Sequence, residues 1–417
     1  MTSWMRNYMK KLFLGSLDGL QGGFLEVVCP KATYAFGDPT AELRAMAVIH
    51  DERFFARAVT GADVGIGESY MDGDWTSPDM VSLVRLATRN LRRLDAKNPL
   101  LSALRRAASR LRHRLRDNNL KGSQKNIRAH YDLSNDFYAL FLDSRKQYSS
   151  AYFLQDQESL EDAQTRKLNL ICRKLRIEPG DRVLEIGCGW GGFAVFAARN
   201  FGAHVTGLTI SPAQFDYASK MVAQHDARPG TVQILLKDYR EMAGEYDKIV
   251  SIEMFEAVGL ARYDEFFSAC DRLLTPEGSL LIQTITMPEQ ELQDYRRRVD
   301  WIQTYIFPGS DLAFVGEMQH SLARTTSLSL TDLESFGMHY ALTLAHWRER
   351  FFQRRHDVRA LGFDERFQRM WDFYLAWCEG AFREKYINVV HLLCEKNAAP
   401  KKSRANISST SKAFAAS

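Results

Sequence analysis

The chain has 417 residues, of which 45% are hydrophobic, and its formal net charge is +4. This length is enough for two or three domains with buried cores, and the absence of a run of about 18 apolar residues argues against a membrane-spanning helix. No signal peptide is expected, since the first residues lack an apolar region and a small-residue cleavage site. Six cysteines scattered without metal-ligand spacing predict reduced cytosolic thiols, with no metal site and no disulfide framework.

Residues 1–118 are predicted to form a smaller N-terminal domain. Two strand-like pieces, GFLEVVCP and ATYAFG, come first, and helical patterning follows from Thr40. The polar stretch DNNLKGSQKN at 117–126 contains Gly122 and has the composition of a linker. We therefore place a domain boundary near residue 118.

Basic residues are concentrated between Arg85 and Arg116, where eleven lysines and arginines stand against the single acid Asp95. Within this segment LSALRRAASRLRHRLR, at 101–116, places leucines at heptad spacing and arginines on the other faces. Such a helix suits an anionic membrane surface, but a solvated helix packing its leucines on its own domain explains the pattern equally well. Nucleic acid is not expected as a partner, because no aromatic residues are interleaved to stack on bases.

Between residues 160 and 285 helices and strands alternate. The predicted strands are DRVLEIG, HVTGLTI, VQILLKD, YDKIVSIEM and SLLIQTIT, and the predicted helices span 160–176, 191–200, 212–225 and 261–273. This alternation predicts an α/β fold, a doubly wound parallel sheet with helices on both faces. The part from 290 to 395 is predicted to be mostly helical, and 397–417 a disordered tail.

The stretch VLEIGCGWGG at 183–192 runs from a strand into a glycine loop that fits G-x-G-x-x-G. A dinucleotide site expects an acid about 20 residues further on, but Thr209 stands there, which counts against NAD. Glu185 precedes Gly187 by two residues, and Asp238 at the end of the third strand offers a carboxylate to an adenine amino group. The loop is therefore predicted to bind S-adenosylmethionine in a class I methyltransferase.

Several further segments resemble the cyclopropane fatty acid synthase family, which includes the mycolic acid cyclopropane synthases and related lipid methyltransferases. They are HYDLSNDFYALFLDSRKQYSSAYF (130–153), LTISPAQ (208–214), SIEMFEAVG (251–259), YALTLAHWRERF (340–351) and, in the N-terminal part, GESYMDGDW (67–75). The resemblance implies a Rossmann-like catalytic domain over 119–396, with helical additions and a smaller N-terminal domain that associates with lipid or membrane.

The resemblance also implies a set of cofactor-binding residues. Their positions match those that close over the methionine portion of S-adenosylmethionine, form the loop under it, and surround its ribose and adenine. The residues are Tyr148, Ser149, Glu185, Gly187, Gly189, Thr209, Gln214, Asp238, Tyr239 and Ile252.

A second implied set would hold a bicarbonate ion. Glu256 and Tyr340 match residues that bind this anion in the family. Two positions depart from the family pattern: Ser150 replaces a cysteine and Gln283 replaces a histidine, and the latter is followed by a matching Ile285. Serine and glutamine still offer hydrogen bonds, so the anion site is expected with altered position and basicity.

The resemblance implies methyl transfer from S-adenosylmethionine to the double bond of an unsaturated acyl chain in a membrane phospholipid. A cation forms on the chain and needs a dry aromatic wall. We expect DWIQTYIFPG, with Trp301, Tyr305 and Phe307, to line the acyl channel. The product is left open between a cyclopropane and a methyl- or methylene-branched chain.

Two alternatives remain: a methyltransferase of a soluble small molecule, and a catalytically inactive lipid-binding relative. We expect a cytoplasmic enzyme peripherally associated with the inner face of the membrane. The oligomeric state, a homodimer included, is left open.

Overall fold

A computed structural model describes residues 2–96, 133–224 and 227–396. The N-terminal part contains a small sheet with strand order β2-β1-β3-β4, in which β1 and β3 are parallel and the other pairs antiparallel. Its elements are α1 (Ser3–Leu17), β1 (Phe24–Cys29), β2 (Ala32–Gly37), β3 (Arg44–Ile49), α2 (Arg53–Met71), β4 (Trp75–Thr76) and α3 (Met80–Ala96).

The prediction of helix from Thr40 is wrong, because β3 occupies part of that stretch. Ala45, Ala47 and Ile49 are buried and alternate with more exposed residues, the period of a strand with one covered face. The helix begins only at Arg53. The alternation of buried and exposed positions is hard to detect in the sequence, because two of the three buried residues are small alanines and the residues between them are partly apolar.

The C-terminal part is built on a larger sheet. Its elements are α4 (Asn135–Ala139), α5 (Leu160–Lys174), β5 (Arg182–Ile186), α6 (Gly192–Phe201), β6 (His204–Thr209), α7 (Pro212–Gln224), β7 (Thr231–Leu236), β8 (Tyr246–Ile252), α8 (Tyr263–Leu273), β9 (Leu274–Thr286), α9 (Leu292–Tyr295), α10 (Trp301–Tyr305), α11 (Val315–Thr325), β10 (Leu328–Ser335), α12 (Gly337–Gln353), α13 (Arg355–Ala360), α14 (Glu365–Arg383) and β11 (Asn388–Lys396).

The seven strands of this sheet follow the order β10-β11-β9-β8-β5-β6-β7. Strands β5 to β9 pair in parallel, and β11 runs antiparallel to both of its neighbours. The predicted α/β fold class is confirmed. The chain moves outward from β5 first on one side and then on the other, and ligands of such sheets bind at this switch point.

The stretch from 290 to 395, expected to be mostly helical, also supplies the two strands β10 and β11. In β11 the residues from Val389 to Cys394 are all buried, so the strand lacks an exposed alternate face. A short, uninterrupted apolar run does not distinguish a buried strand from a buried helix by its period.

Helix α14 packs against α2 and α3 of the N-terminal part. The buried hydroxyl of Tyr70 donates to Asp372 at 2.5 Å, and Gly67 lies so close to Trp301 that an added Cβ would stand 2.3 Å from the indole ring. Arg85 and Arg89, from the basic segment, both pair with Glu384. These two arginines therefore have partners within the protein.

The predicted basic helix at 101–116, the predicted linker at 117–126 and the predicted tail at 397–417 lie outside the described residues. So does the predicted boundary near 118. Across the ranges that are described, no helix is both long and apolar enough to cross a membrane.

Candidate active site

A cavity of about 300 Å³ lies at the carboxyl ends of β5, β6 and β8. It brings together all of the predicted site residues except Ser150 and Gln283, which lie behind its wall. The predicted residues that line it are Tyr148, Ser149, Glu185, Gly187, Gly189, Thr209, Gln214, Asp238, Tyr239, Ile252, Glu256, Ile285 and Tyr340.

The glycine loop after β5 forms the floor of the cavity. Gly187 and Gly189 have φ of +83° and +52°, values that favour glycine. A Cβ on Gly187 would stand 2.5 Å from Cγ of Met254, whereas one on Gly189 would meet nothing within 4 Å. Gly187 is therefore needed for packing against Met254, whereas the open space beside Gly189 can accommodate a ligand.

Glu185, the one acidic residue of β5, lines the cavity with a carboxyl oxygen that lacks a hydrogen-bond donor among the described residues. The side chain is buried, and its Oε2 has no hydrogen-bond partner among the described residues. Burial raises the pKa of Glu185 well above its usual value, and Lys167 opposes that rise. A buried oxygen without a partner is costly, so it fits a positively charged ligand group such as the amino group of S-adenosylmethionine.

Helix α5 brings a buried cation beside this carboxylate. Ser159 caps the helix by accepting from the backbone N–H of Asp162. Lys167 is fully buried, and its Nζ donates to Oε1 of Gln147 at 2.9 Å and to Oγ of Ser149 at 2.8 Å. Burial lowers the pKa of Lys167 to about 8, against the pull of nearby carboxylates.

Lys167 was missed in the sequence, although a signal exists. It stands on the apolar stripe of an amphipathic helix, four residues after Ala163 and four before Ile171. A charged residue on a buried helix face needs a partner. Here the lysine holds the Tyr148–Ser149 segment in place through its hydrogen bonds to Gln147 and Ser149.

The Tyr148–Ser149 segment closes one side of the cavity. The hydroxyl of Tyr148 lies 3.0 Å from that of Tyr374, and its ring lies against Trp347. The carbonyl of Ser149 accepts from Nε2 of Gln164 at 2.8 Å. Both residues are thus held in place by groups from distant parts of the chain.

On the opposite side lie the residues predicted to surround the nucleoside. The hydroxyl of Thr209 donates to Oε1 of Gln214 at 2.8 Å, so the two act as one polar unit. Asp238 lines the cavity, but the Arg240 guanidinium donates to its two carboxylate oxygens at 2.9 and 2.8 Å. Arg240 is a second residue that sequence reasoning missed, although it lies only two positions after Asp238.

The predicted anion-binding residues are arranged differently from the expectation. Glu256 accepts from the backbone N–H of Ile285 at 2.6 Å, but the backbone N–H of Ser150, Nε2 of Gln283 and the hydroxyl of Tyr340 donate to Glu253. The expectation that these three donors face an ion held by Glu256 is therefore corrected. Glu253 was missed, although it lies only three residues before Glu256.

Glu256 is half-buried and lines the cavity. Its Oε2 has no partner among the described residues, and burial together with the charge of Glu253 raises its pKa to about 8. Burial also raises the pKa of Glu253, but the hydrogen bonds from Tyr340, Ser150 and Gln283 oppose that rise. The proton shared by this pair is therefore held mainly by Glu256.

A second cavity of about 600 Å³ adjoins the first. Its walls are largely aliphatic side chains of the N-terminal part, and it shares Met287, Tyr295, Asp300, Gln303, Trp377 and Tyr386 with the first cavity. Of the three aromatic residues expected to line an acyl channel, Phe307 lines the first cavity. Trp301 is instead packed against Gly67, and the hydroxyl of Tyr305 donates to Glu68 at 2.6 Å.

The sheet order, the glycine loop and the buried acid before it define a class I S-adenosylmethionine-dependent methyltransferase. The family model described as mycolic acid cyclopropane synthetase matches residues 118–392. The chain belongs to this family, and the resemblance noted in its sequence is confirmed.

Two curated relatives are similar over most of their length. A tuberculostearic acid methyltransferase of Mycobacterium tuberculosis is 39% identical over 78% of this chain and 77% of its own. A cyclopropane-fatty-acyl-phospholipid synthase of Escherichia coli is 38% identical over 85% of this chain and 87% of its own. A solved mycolic acid cyclopropane synthase complexed with SAH and CTAB is 34% identical with a TM-score of 0.61, over 66% of this chain and 98% of that one.

Proposed function

We propose that this methyltransferase acts on the double bond of an unsaturated fatty acyl chain in a membrane phospholipid, giving a cyclopropane or a methyl- or methylene-branched chain. The observation that carries the proposal is that the cofactor cavity adjoins a larger, mainly aliphatic cavity. A soluble polar substrate would gain nothing from such a space, whereas an acyl chain would bury apolar surface there.

The relatives support the same substrate class. One is named a cyclopropane-fatty-acyl-phospholipid synthase and the other a tuberculostearic acid methyltransferase. Both names describe changes to fatty acyl chains, but they differ in product. For the present chain we therefore propose a methylated acyl chain as the product, without choosing between the cyclopropane and the branched forms.

The residues of the cavity have distinct roles in this proposal. When bound, S-adenosylmethionine supplies an electrophilic methyl group. Glu185 binds its amino group, Gly189 leaves space for it, and Thr209 with Gln214 offers polar contacts to its ribose. These contacts orient the cofactor and leave the acyl side of the cavity to aromatic residues.

Aromatic side chains form the wall on the acyl side. Tyr148, Phe307 and Tyr374 line the cavity, and the ring of Tyr340 stacks on Phe382 with centroids 4.6 Å apart. Aromatic faces attract a cation and exclude water, which would otherwise trap it as an alcohol. The wall therefore suits a positive charge that develops on the acyl chain.

Peripheral membrane association, at the inner face in the cytoplasm, is part of the proposal. On α1 the rings of Trp4 and Tyr8 stack 5.7 Å apart, with 72% and 49% of each residue exposed, and Lys11 is exposed further along the helix. Aromatic rings beside basic residues suit the interface of an anionic membrane. Cosedimentation with anionic vesicles should weaken in Trp4→Ser, whereas Leu333→Ser, an exposed leucine on β10, serves as the control.

The substrate is tested by mass spectrometry of membrane fatty acids from a host that expresses the chain and is fed methyl-deuterated methionine. We expect a new labelled acyl chain. It retains two deuteriums if the proton leaves the transferred methyl group, as in a cyclopropane or methylene product, and three if the proton leaves the chain, as in a methyl-branched chain with a double bond. The variant Glu185→Gln should strongly reduce the label. An unchanged fatty acid profile with folded, S-adenosylmethionine-binding protein would contradict the proposal.

A further inference from the structure

The carboxylate of Glu253 lies where three predicted anion ligands converge. Its Oε1 accepts from the backbone N–H of Ser150 and from Nε2 of Gln283, both at 2.8 Å, and its Oε2 accepts from the hydroxyl of Tyr340 at 2.6 Å. These donors come from three separate parts of the chain. A carboxylate shares with bicarbonate a planar, negatively charged pair of acceptor oxygens, and bicarbonate is the ion that the resemblance implied at this position.

The backbone at Glu253 is held in an unusual conformation. Its φ is +49°, in the left-handed region that disfavours residues with a Cβ, and its N–H donates to the carbonyl of Gln283 at 2.7 Å. Such strain is concentrated at functional sites. Glycine at this position would remove the backbone strain. The glutamate side chain therefore has a role that glycine cannot fill, and its carboxylate is the group that accepts the three hydrogen bonds.

The charges around Glu253 leave no place for a bicarbonate ion. Glu253 and Glu256 are both half-buried. Desolvation raises the pKa of Glu253, and the hydrogen bonds from Tyr340, Ser150 and Gln283, together with the charge of Lys167, oppose that rise. A further anion would face the charge of Glu253 after its donors had already been taken by that carboxylate. The residues present therefore do not fit bicarbonate.

We infer that Glu253 replaces bicarbonate as the general base of this enzyme. The inference rests on the proposed function. After methyl transfer, a C–H bond of the transferred methyl group breaks and the proton passes to the Glu253 carboxylate. The electron pair of that bond joins the methyl carbon to the cationic carbon and closes the cyclopropane. If a hydride has first shifted from the methylated carbon, the cation lies beside the methyl group and the same electron pair forms the carbon–carbon double bond of a methylene group. No oxidant or reductant is consumed, and Glu253 returns its proton to solvent once the product has left.

Glu253 is suited to this step because it lines the cavity beside Ile252 and Tyr340. Its three hydrogen bonds occupy three of about four lone-pair positions of the carboxylate and leave one on Oε2 that can take a proton. Ser150 and Gln283, which the cavity does not reach, act through Glu253 as positioning residues.

The test compares the full-length wild type with Glu253→Gly and Glu253→Gln in buffer depleted of carbon dioxide. Wild-type turnover on unsaturated phospholipid vesicles should not respond to bicarbonate. Both variants should lose about 100-fold or more in kcat, the usual contribution of a general base. Formate or bicarbonate should restore part of the activity to Glu253→Gly, where space has been created, but not to the isosteric Glu253→Gln.

Binding measurements separate this inference from the proposed function. Labelled bicarbonate, followed by carbon NMR, should bind Glu253→Gly and not the wild type, whether or not a lipid is methylated. Bicarbonate binding to the wild type, or wild-type turnover that requires it, would overturn the inference. So would near-normal turnover of Glu253→Gln, which keeps the volume of the side chain and remains informative if the glycine variant does not fold.

Discussion

The ring Nε2 of His391 lies 2.9 Å from the amide oxygen of Gln283, its direct partner across the antiparallel strands β11 and β9. Burial lowers the pKa of His391 well below its usual value, so the imidazole is neutral and can donate from Nε2. This bond turns the amide oxygen toward His391 and the amide nitrogen toward Glu253. An imidazole on the last strand thus orients a donor of the active site.

Removing this imidazole should impair turnover more than cofactor binding. In His391→Phe the amide of Gln283 loses the partner that fixes its orientation, and we expect kcat to fall about tenfold, the effect of losing one buried hydrogen bond. The affinity for S-adenosylmethionine, measured by calorimetry, should stay within a factor of about three. His391→Gln retains an amide donor and should recover part of kcat. Equal losses in kcat and affinity would mean that the histidine supports the fold alone.

Glu185 is expected to control cofactor affinity. Its unpartnered oxygen offers a charge-assisted hydrogen bond, so Glu185→Gln should weaken S-adenosylmethionine binding by about 10- to 100-fold. Calorimetry measures this directly, and Glu178→Gln, a change at an exposed acid just before β5, is the matched control. Unchanged affinity in Glu185→Gln would show that the amino group is bound elsewhere.

Glu256 should make the stability of the unliganded protein depend on pH. Its pKa is about 8 in the folded state and near 4.5 when unfolded, so the folded state holds the proton more tightly and the wild type loses stability as pH rises between these values. Glutamine has no such proton. The advantage of Glu256→Gln in unfolding free energy should therefore grow with pH, by up to about 1.4 kcal/mol per pH unit.

Urea unfolding at several values from about pH 5 to about pH 8 measures that difference. Glu178→Gln, at an exposed site, should show a constant difference from the wild type over the same range. Parallel curves for Glu256→Gln and the wild type would mean that Glu256 is ionised throughout.

Filling the second cavity should restrict long acyl chains. Ala87 on α3 lines this cavity, and Ala87→Phe should lower kcat/KM for long-chain phospholipids about tenfold, equivalent to about 1.4 kcal/mol. The loss should be smaller for shorter chains, and S-adenosylmethionine affinity should not change. Thr88→Phe, the next residue on the helix but outside the cavity wall, is the control. Equal effects of the two variants would argue that the acyl chain lies elsewhere.

Features that are local in the sequence were predictable. Glu185, Gly187 and Gly189 follow a buried strand within a few positions, and the chemistry of a glycine loop depends mainly on such neighbours. The parallel strands were found for the same reason, since each is bounded by a helix of ordinary length. By contrast, the antiparallel strand β11 is buried on both faces from Val389 to Cys394, with His391 among its apolar residues, so it shows no alternation of exposed and buried positions.

The positions that govern the anion site depend on contacts across the chain. Glu253 meets Ser150, Gln283 and Tyr340, the nearest of which is 30 residues away in sequence. Lys167 likewise becomes a functional candidate only because α5 lies under the Tyr148–Ser149 segment. Neither arrangement is encoded in a local motif. The sequence therefore identified Ser150, Gln283 and Tyr340 as part of the site, but not Glu253, the residue to which all three donate.

The left-handed backbone at Glu253 has a consequence for how such sites diverge. Codons for glutamate and glycine can differ by a single base, and the backbone at this position already has a φ that glycine adopts without strain. One point mutation, Glu253→Gly, would therefore replace a side-chain base with a site that binds an anion from solution, with no rearrangement of the main chain. The two chemistries would be neighbours in evolution, separated by one step that the fold already accommodates.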